Sequence, residues 1–165
     1  MAFEALYRAC APRVLAYAYR RTGPENAEEV VAETFLIAWR RTGDVPADPV
    51  PWLLRTARNV IANRHRADRR GGELRARLGS QRPAAVIDPA ESAAGDSAVR
   101  AAMAALPERE REALALHVWD GLSNEQAAVV LGCSRTTFAV RLHRARTRLR
   151  KQLTVPVTSS TEVPS

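Results

Sequence analysis

The sequence predicts an all-α protein of two small helical domains, an N-terminal helical bundle and a C-terminal helix-turn-helix, joined by a flexible linker. Apolar residues recur every three or four positions in two blocks, as on the buried face of a helix, and no segment alternates like a strand. Between the blocks, residues 71–95 are rich in Gly, Ala, Pro and Ser. The predicted domains are therefore residues 1–70 and 96–153, followed by a disordered tail at 154–165.

The N-terminal domain is predicted to contain three helices. The first covers residues 2–21, whose apolar positions form one stripe. Asn26, followed three residues later by a glutamate, predicts the capped start of the second helix. A proline-rich loop then leads to a third helix, which Pro51 is expected to start and which should end near Arg66.

The C-terminal domain carries the signals of a helix-turn-helix. Ser123 and Gln126 predict a capping box at the start of a short helix, and Gly132 supplies the left-handed residue that ends it. Ser134 is expected to cap a second helix, which such motifs place in the major groove of DNA. Away from its apolar stripe, that helix carries a basic row of Arg141, Arg144, Arg148 and Lys151. The alternative is a helical hairpin with a solvated basic face.

The charge of the chain is compatible with two nucleic-acid surfaces. The net charge is +7, and the basic excess falls in two blocks, +4 over residues 1–70 and +5 over residues 100–153. Two surfaces that each meet a polyanion would account for this distribution. A solvated arginine-rich surface, encoded by a GC-rich genome, is the alternative.

Several other chemistries find no support in the sequence. Cys10 and Cys133 stand far apart, without a CxxC pattern or a histidine partner, which predicts neither a zinc site nor a disulfide. No catalytic carboxylate pair, nucleophile triad or phosphate-binding glycine loop occurs, so we expect no enzyme activity, metal or cofactor. No run of 18 apolar residues occurs either, which predicts a cytoplasmic protein without membrane insertion.

Short motifs in both halves resemble those of one protein family. In the C-terminal half they are residues 106–114 (LPEREREAL), 119–123 (WDGLS), 127–132 (AAVVLG) and 141–149 (RLHRARTRL). In the N-terminal half they are residues 3–7 (FEALY), 27–40 (AEEVVAETFLIAWR) and 51–59 (PWLLRTARN). They resemble regions 4 and 2 of the extracytoplasmic-function (ECF) RNA polymerase sigma factors, in the sigma-70 family. The resemblance implies a protein that binds core polymerase and directs promoter-specific transcription initiation.

By this resemblance, the second helix docks on the clamp helices of the polymerase β′ subunit, and the β flap of the polymerase is a further contact of the chain. An acidic edge beside apolar residues suits a protein contact better than a DNA contact. The residues concerned are Glu28, Glu29, Glu33, Phe35 and Trp39. Each of the two rings can alternatively belong to the core. An anti-sigma factor is a further candidate partner.

The resemblance also implies that the third helix recognises the −10 promoter element and holds the melted strand. One face of this helix carries Trp52, Arg55, Asn59, Asn63 and Arg66. Flat side chains stack on unpaired bases, and amides can hydrogen-bond the edges of those bases. Asn59 matches the base-contacting position of the family, and the loop at 45–49 would form a pocket for a flipped base. Trp52 is either part of this surface or a core anchor.

The helix-turn-helix would in turn bind the −35 element in duplex DNA. The residues assigned to this contact are Arg135, Thr136, Thr137, Arg141, His143, Arg144 and Arg148. The sequence departs from the family at Ala139 and Val140, where a basic residue and a serine are usual, so promoter preference is not carried over.

The reach of the linker can be compared with the separation of the two promoter elements. As a free coil, residues 71–99 would reach roughly 30 Å. Two turns of duplex, near the separation of the promoter elements, cover about 70 Å, so the linker must be drawn out when both domains are engaged.

A regulator that uses the helix-turn-helix without polymerase is the main alternative, and it gives no role to the face of the third helix. An anti-sigma or structural interaction protein is another alternative, and an enzyme a distant one.

Overall fold

The computed structural model describes residues 2–77 and 96–154, and all regular structure in these two ranges is helical. The all-α class is therefore confirmed. The helices are α1 (Phe3–Thr22), α2 (Pro24–Arg40), α3 (Pro49–Arg77), α4 (Asp96–Ala104), α5 (Glu108–Val118), α6 (Asn124–Leu131) and α7 (Arg135–Thr154). A single 3-10 turn, Thr42–Asp44, follows α2. The predicted flexible linker and tail fall mostly on residues 78–95 and 155–165, which lie outside the described residues.

The first three helices pack against one another as a bundle. Each turns an apolar stripe inward, as the sequence period requires, because only that face can leave water without burying charge. The largest side chains in this part of the core are Tyr17 of α1, Phe35 of α2, and Leu53 and Leu54 of α3.

The start of α2 differs from the expected position at Asn26. Gly23 precedes the helix with a φ of 74°, and Pro24 occupies its first turn. Proline suits this position because the N–H that it lacks would have no partner inside the helix. Asn26 is exposed within the first turn, so the predicted cap was wrong.

The third helix is longer than expected at both ends. It begins at Pro49 and continues to Arg77, eleven residues past the predicted end at Arg66. Gly71 and Gly72 cost roughly 1 kcal/mol each inside a helix, which strong helix formers on both sides can offset. From His65 onward most of its described side chains are exposed, so this end projects beyond the bundle.

In the C-terminal half, α4, α5 and α6 all pack on α7. The predicted stripe of α7 faces them, with Phe138, Leu142 and Ala145 buried and Leu149 packed at the edge of the core. The buried residues of both halves form one continuous cluster, because α3 packs directly on α6. The two halves therefore touch in this structure.

The local geometry of the helix-turn-helix is as the sequence predicts. The Ser123 hydroxyl accepts a hydrogen bond from the Gln126 backbone N–H at 3.2 Å, and the Gln126 side chain accepts one from the Ser123 N–H at 3.1 Å. Gly132 ends α6 in the left-handed conformation, with a φ of 64°. The Ser134 hydroxyl then accepts the Thr137 N–H at 3.0 Å and caps α7.

Candidate nucleic-acid and protein interfaces

The outer face of α2 combines acidic and apolar side chains. Glu28 and Glu29 are exposed and Glu33 is half-buried, while the Trp39 side chain is 62% exposed. Leu36 is 44% exposed beside them, a residue that the sequence analysis did not single out. Together these residues form a mixed acidic and apolar surface, of the kind that contacts protein.

Arg64 of α3 partly neutralises this acidic edge. Its guanidinium donates hydrogen bonds to Glu29 at 2.7 Å and to Glu33 at 3.1 Å. The hydrogen bond to Glu29 is the main cause that raises the pKa of Arg64. Glu28 is not among these contacts, so its carboxylate keeps a solvent-facing charge.

Phe35 lies in the core and is only 3% exposed. Its ring meets the edge of Tyr7 at a centroid distance of 4.8 Å and that of Phe3 at 6.3 Å, which ties α2 to α1. Of the two possibilities left open for this ring, the structure favours the core. Phe35 can thus support the α2 surface, but it does not form part of it in this conformation.

The predicted face of α3 divides into an anchored end and an exposed end. Trp52 is half-buried and packs against the core. Arg55, Asn59, Asn63 and Arg66 are exposed. The Asn63 side-chain oxygen accepts a hydrogen bond from Arg66, so these two side chains are held together. The exposed end offers two amides and two guanidinium groups to a ligand.

The residues assigned to duplex DNA lie on the outer face of α7. Arg135, Thr136 and Thr137 are exposed at its N-terminus, and His143, Arg144 and Arg148 are exposed along it, while Arg141 is half-buried. Two of these cations already have acidic neighbours that the sequence analysis missed. Arg135 pairs with Glu125 at 3.0 Å, and Arg148 lies 3.2 Å from the buried Glu110.

Charged contacts between the two halves form a second feature that sequence reasoning missed. Arg58 of α3 forks over Glu112 of α5, with Nε to Oε1 at 2.6 Å and Nη2 to Oε2 at 3.1 Å. The hydrogen bond to Glu112 is the main cause that raises the pKa of Arg58. A parallel fork of this kind fixes geometry as well as charge.

Asp120, in the turn after α5, is the centre of the other charged contact. Arg20 of α1 donates a hydrogen bond to its carboxylate, Arg21 lies 4.0 Å from it, and Arg13 donates to its backbone carbonyl at 2.8 Å. Burial raises the pKa of the Asp120 carboxyl, although the nearby arginines oppose that shift. No pattern in the sequence predicts a contact between residues that lie so far apart in the chain.

Two assigned DNA-binding residues from different halves meet at one cavity. Arg55 of α3 and Arg135 of α7 both line it, together with Glu125, Val129, Gly132 and neighbouring residues of α6 and the turn. A Cβ atom added to Gly132 would lie 3.4 Å from Nη2 of Arg55, which shows how closely the turn approaches α3. Beside this cavity, Gln126 donates a hydrogen bond to Asp48 at 2.9 Å.

Metal binding and membrane insertion find no support in the described residues. No group of three or more His, Cys, Asp or Glu in the described parts of the chain is placed to hold a metal ion. None of the described helices is long and apolar enough to span a membrane. Both cysteines are free thiols, Cys10 buried and Cys133 half-buried.

The two halves match two family models in chain order. The Sigma-70 region 2 model matches residues 6–71, and the Sigma-70 region 4 model matches residues 96–149. These matches cover the α1–α3 bundle and the helix-turn-helix domain respectively.

Relatives that are named as RNA polymerase sigma factors match most of this chain. The chain is 33% identical over 145 residues to the ECF RNA polymerase sigma factor EcfG of Rhodopseudomonas palustris, covering 86% of this chain and 79% of that protein. It is 34% identical over 161 residues to the probable RNA polymerase sigma factor RfaY of Xanthomonas campestris. That match covers 92% of this chain but spans only 40% of the length of the relative.

Solved structures share the fold over nearly the whole chain. The sigma factor RpoE of Bartonella quintana, crystallised with the anti-sigma factor NepR, superposes with a TM-score of 0.69 at 28% identity, covering 93% of this chain and 98% of that one. CnrH, solved with the cytosolic domain of CnrY, gives a TM-score of 0.61 at 26% identity and coverage of 92% and 87%.

Proposed function

This chain belongs to the ECF RNA polymerase sigma factors, and on that premise we propose that it binds core polymerase, recognises the −35 and −10 elements and stabilises the melted strand. It functions in transcription initiation by means of one region 2 domain and one region 4 domain. The finer proposal is carried by one observation, the exposed amide and guanidinium face of α3 in the region 2 domain.

At the −10 element, the role of α3 is to hold single-stranded DNA. Asn59 and Asn63 can hydrogen-bond the edges of unpaired bases, and Arg66 can contact the phosphates beside them. Melting then requires no catalysed step, because tighter binding to the open strand than to the duplex shifts the equilibrium towards the open form. The mechanism is therefore one of binding alone.

At the −35 element, α7 enters the major groove. Its exposed N-terminal residues Arg135, Thr136 and Thr137 reach the base edges, and the basic row along the helix follows the phosphates. Arg135 must leave Glu125 to do so, which exchanges one charge-assisted contact for another.

The contact with polymerase uses the outer face of α2 against the β′ clamp helices, and the C-terminal domain against the β flap. Trp39 and Leu36 supply apolar area, and Glu28 supplies charge, at a surface that DNA would not favour. An anti-sigma factor is a candidate partner, because the similar RpoE was solved in complex with one. The protein works in the cytoplasm, where the polymerase is.

Reconstituted transcription tests the proposal. Purified core polymerase is incubated with the chain, and complex formation is measured by co-elution on a sizing column. Run-off transcription is then measured on promoters selected from genomic DNA, with core alone as the control. We expect co-elution and chain-dependent transcripts. Failure to bind core, with specific binding of the chain alone to duplex operators, would show that it acts as a regulator instead.

The substitution Asn59→Ala separates strand opening from polymerase binding. We expect open-complex formation on duplex promoters to fall by roughly tenfold or more, because a contact to a base edge is lost, while binding to core is unchanged. Permanganate footprinting measures the open complex, and co-elution measures binding. Asn26→Ala is the matched control, since Asn26 is an exposed amide on α2. Equal loss of both activities in the Asn59 variant would contradict the assigned role.

A further inference from the structure

One buried carboxylate in the C-terminal half lies against an arginine that is assigned to DNA. Glu110, in the first turn of α5, has a side chain that is only 10% exposed, and its Oε2 atom lies 3.2 Å from Nε of Arg148 on α7. That oxygen is buried and accepts no aligned hydrogen bond from the described residues. An ionised group that is removed from water in this way needs a counter-charge. Arg148 supplies one, so the pair links the start of α5 to α7.

The local sequence explains why Glu110 turns towards α7 instead of capping its own helix. A glutamate at the third position of a helix commonly accepts a hydrogen bond from the backbone N–H of the N-cap residue. Here the N-cap residue is Pro107, which has no N–H to donate. The carboxylate is therefore available to a partner on another helix, and the packing of α5 on α7 places Arg148 within its reach.

The pairing leaves most of the donors of Arg148 available to a ligand. A guanidinium carries five N–H groups in one plane, and the atom nearest to Glu110 is Nε, at the base of that plane. The Arg148 side chain is 54% exposed, and no hydrogen bond to a described residue uses its two Nη groups. These outer groups can therefore meet a phosphate while the Nε side of the plane faces the carboxylate.

Two other arginines of α7 that are assigned to DNA lack such a buried support. Arg144 is exposed, and no hydrogen bond or ion pair joins it to a described residue. Arg135 pairs with Glu125, but the two side chains are 69% and 73% exposed. An exposed pair holds a side chain weakly, because water competes for both charges. Glu125 therefore competes with DNA for Arg135, whereas a buried acid such as Glu110 can hold its arginine in place.

We propose that Glu110 is a positioning residue for binding of the −35 element, which orients the Arg148 guanidinium so that its Nη groups face a phosphate of the duplex. This inference rests on the proposed function, in which the basic row of α7 follows the phosphates. A long arginine side chain loses rotamer freedom when it binds, and a side chain that is already held loses less. The buried acid therefore strengthens a contact with DNA, although its own charge repels DNA.

The substitution Glu110→Gln tests this role, because its two effects on DNA binding have opposite signs. It removes a negative charge near DNA, which by itself should strengthen binding. It also releases Arg148, and we expect this effect to dominate and to weaken binding by roughly fivefold. Fluorescence anisotropy of the core polymerase complex with an upstream duplex measures the affinity at several salt concentrations. The slope of log affinity against log salt should stay unchanged, because Arg148 can still meet the phosphate.

Glu125→Gln is the matched control, since it makes the same change beside another arginine of α7. We expect it to tighten binding, because Arg135 no longer has to leave a carboxylate. Arg148→Ala should weaken binding by roughly tenfold and reduce the salt slope by about one, because a phosphate contact is lost. Glu110→Gln added to Arg148→Ala should cause no further weakening, because the acid acts only through that arginine.

Circular dichroism checks that each variant keeps its helix content. Glu110→Asp replaces Glu110→Gln if that variant loses helix. It keeps a negative charge in the first turn of α5 but draws the carboxylate away from Arg148, so the same loss of affinity is expected.

The outcomes separate the positioning role from the proposed function. Weaker binding by the Glu110 variant at an unchanged salt slope, absent when Arg148 is already alanine, supports the role. Binding as tight as that of the unchanged protein, or an equal loss in the Arg148→Ala background, overturns the role alone. A complex of the unchanged protein that does not bind the upstream duplex specifically contradicts the proposed function, and the positioning role with it.

Discussion

At the scale of single residues, burial decides which of two similar side chains can act at a surface. Phe35 and Trp39 lie one helical turn apart on α2, and both are aromatic. Phe35 packs between Phe3 and Tyr7 of α1, whereas Trp39 is 62% exposed near the end of the helix. The apolar period of α2 alone does not distinguish them, because both fall within the width of a buried stripe.

Substitution of these two rings should separate stability from binding. Phe35→Ala should lower the free energy of unfolding by about 3–5 kcal/mol, because it leaves a cavity in the core. Trp39→Ala should change stability little and weaken binding to core polymerase, because an exposed aromatic contact is lost. Urea unfolding and co-elution measure the two effects. The assignment of Trp39 fails if its removal costs as much stability as that of Phe35.

Tyr17 offers a test of burial by pH. Its side chain is fully buried, its hydroxyl has no hydrogen-bond partner among the described residues, and burial raises its pKa to about 12 although Arg21 stacks on the ring at 3.6 Å. The folded pKa lies above the ordinary value of 10, so the associated stability is present below pH 10 and is lost as pH rises through 12.

Ultraviolet absorbance of phenolate during an alkaline titration measures this shift. We expect a late step near pH 12 that Tyr17→Phe removes. Identical titration curves for the two proteins, apart from amplitude, would show that Tyr17 is more accessible than its packing indicates.

At the scale of elements, α7 carries exposed arginines on both flanks of one buried stripe. Phe138, Leu142 and Ala145 point inward, and Arg144 belongs to the basic row on one flank. Arg146 is exposed on the other flank, as the helical period requires. The helix thus offers a matched pair of arginines, of which only one is proposed to meet phosphate.

The salt dependence of DNA binding should distinguish these two arginines. Arg144→Ala should weaken binding to promoter DNA and reduce the slope of log affinity against log salt by about one, because one phosphate contact is lost. Arg146→Ala should leave that slope unchanged. Fluorescence anisotropy of the polymerase complex with an upstream duplex at several salt concentrations provides the measurement. Equal slopes for Arg144→Ala and the unchanged protein would remove Arg144 from the phosphate row.

At the scale of the whole molecule, both charged and apolar contacts join the two halves. The charged contacts that join them are the Arg58–Glu112 pair and the buried Arg20–Asp120 pair, and they lie beside a continuous apolar cluster. Charges of this kind are screened by salt to the extent that they are exposed, whereas apolar contacts are not. The Arg58–Glu112 pair should therefore weaken more as salt is raised than the buried Arg20–Asp120 pair.

Raising sodium chloride from roughly 0.05 M to roughly 0.5 M should expand the free chain, because the Debye length falls well below the span of the interface. The radius of gyration from scattering measures the change. The double variant Arg58→Glu with Glu112→Arg should show the same salt response, since its charges remain paired. A radius that is independent of salt would mean that apolar packing holds the halves together.

The sequence alone determined the features that arise from neighbours within one or two helical turns. The period of apolar residues predicted the helices and the inward stripe of α7, and local hydrogen bonds fixed the Ser123 capping box and the Gly132 turn. Such interactions link positions three or four residues apart, so their spacing is visible in the chain. The family resemblance, confirmed by the region 2 and region 4 matches, came from the same short motifs.

Tertiary structure alone decided which residues meet across the chain. Arg58 faces Glu112 and Arg20 faces Asp120 because packed helices bring together side chains that lie 54 and 100 residues apart. It also decided that Phe35 is core, that Trp39 is surface, and that Arg55 approaches Gly132. These partners depend on how whole helices pack, and no periodicity within a single helix encodes the identity of its neighbour.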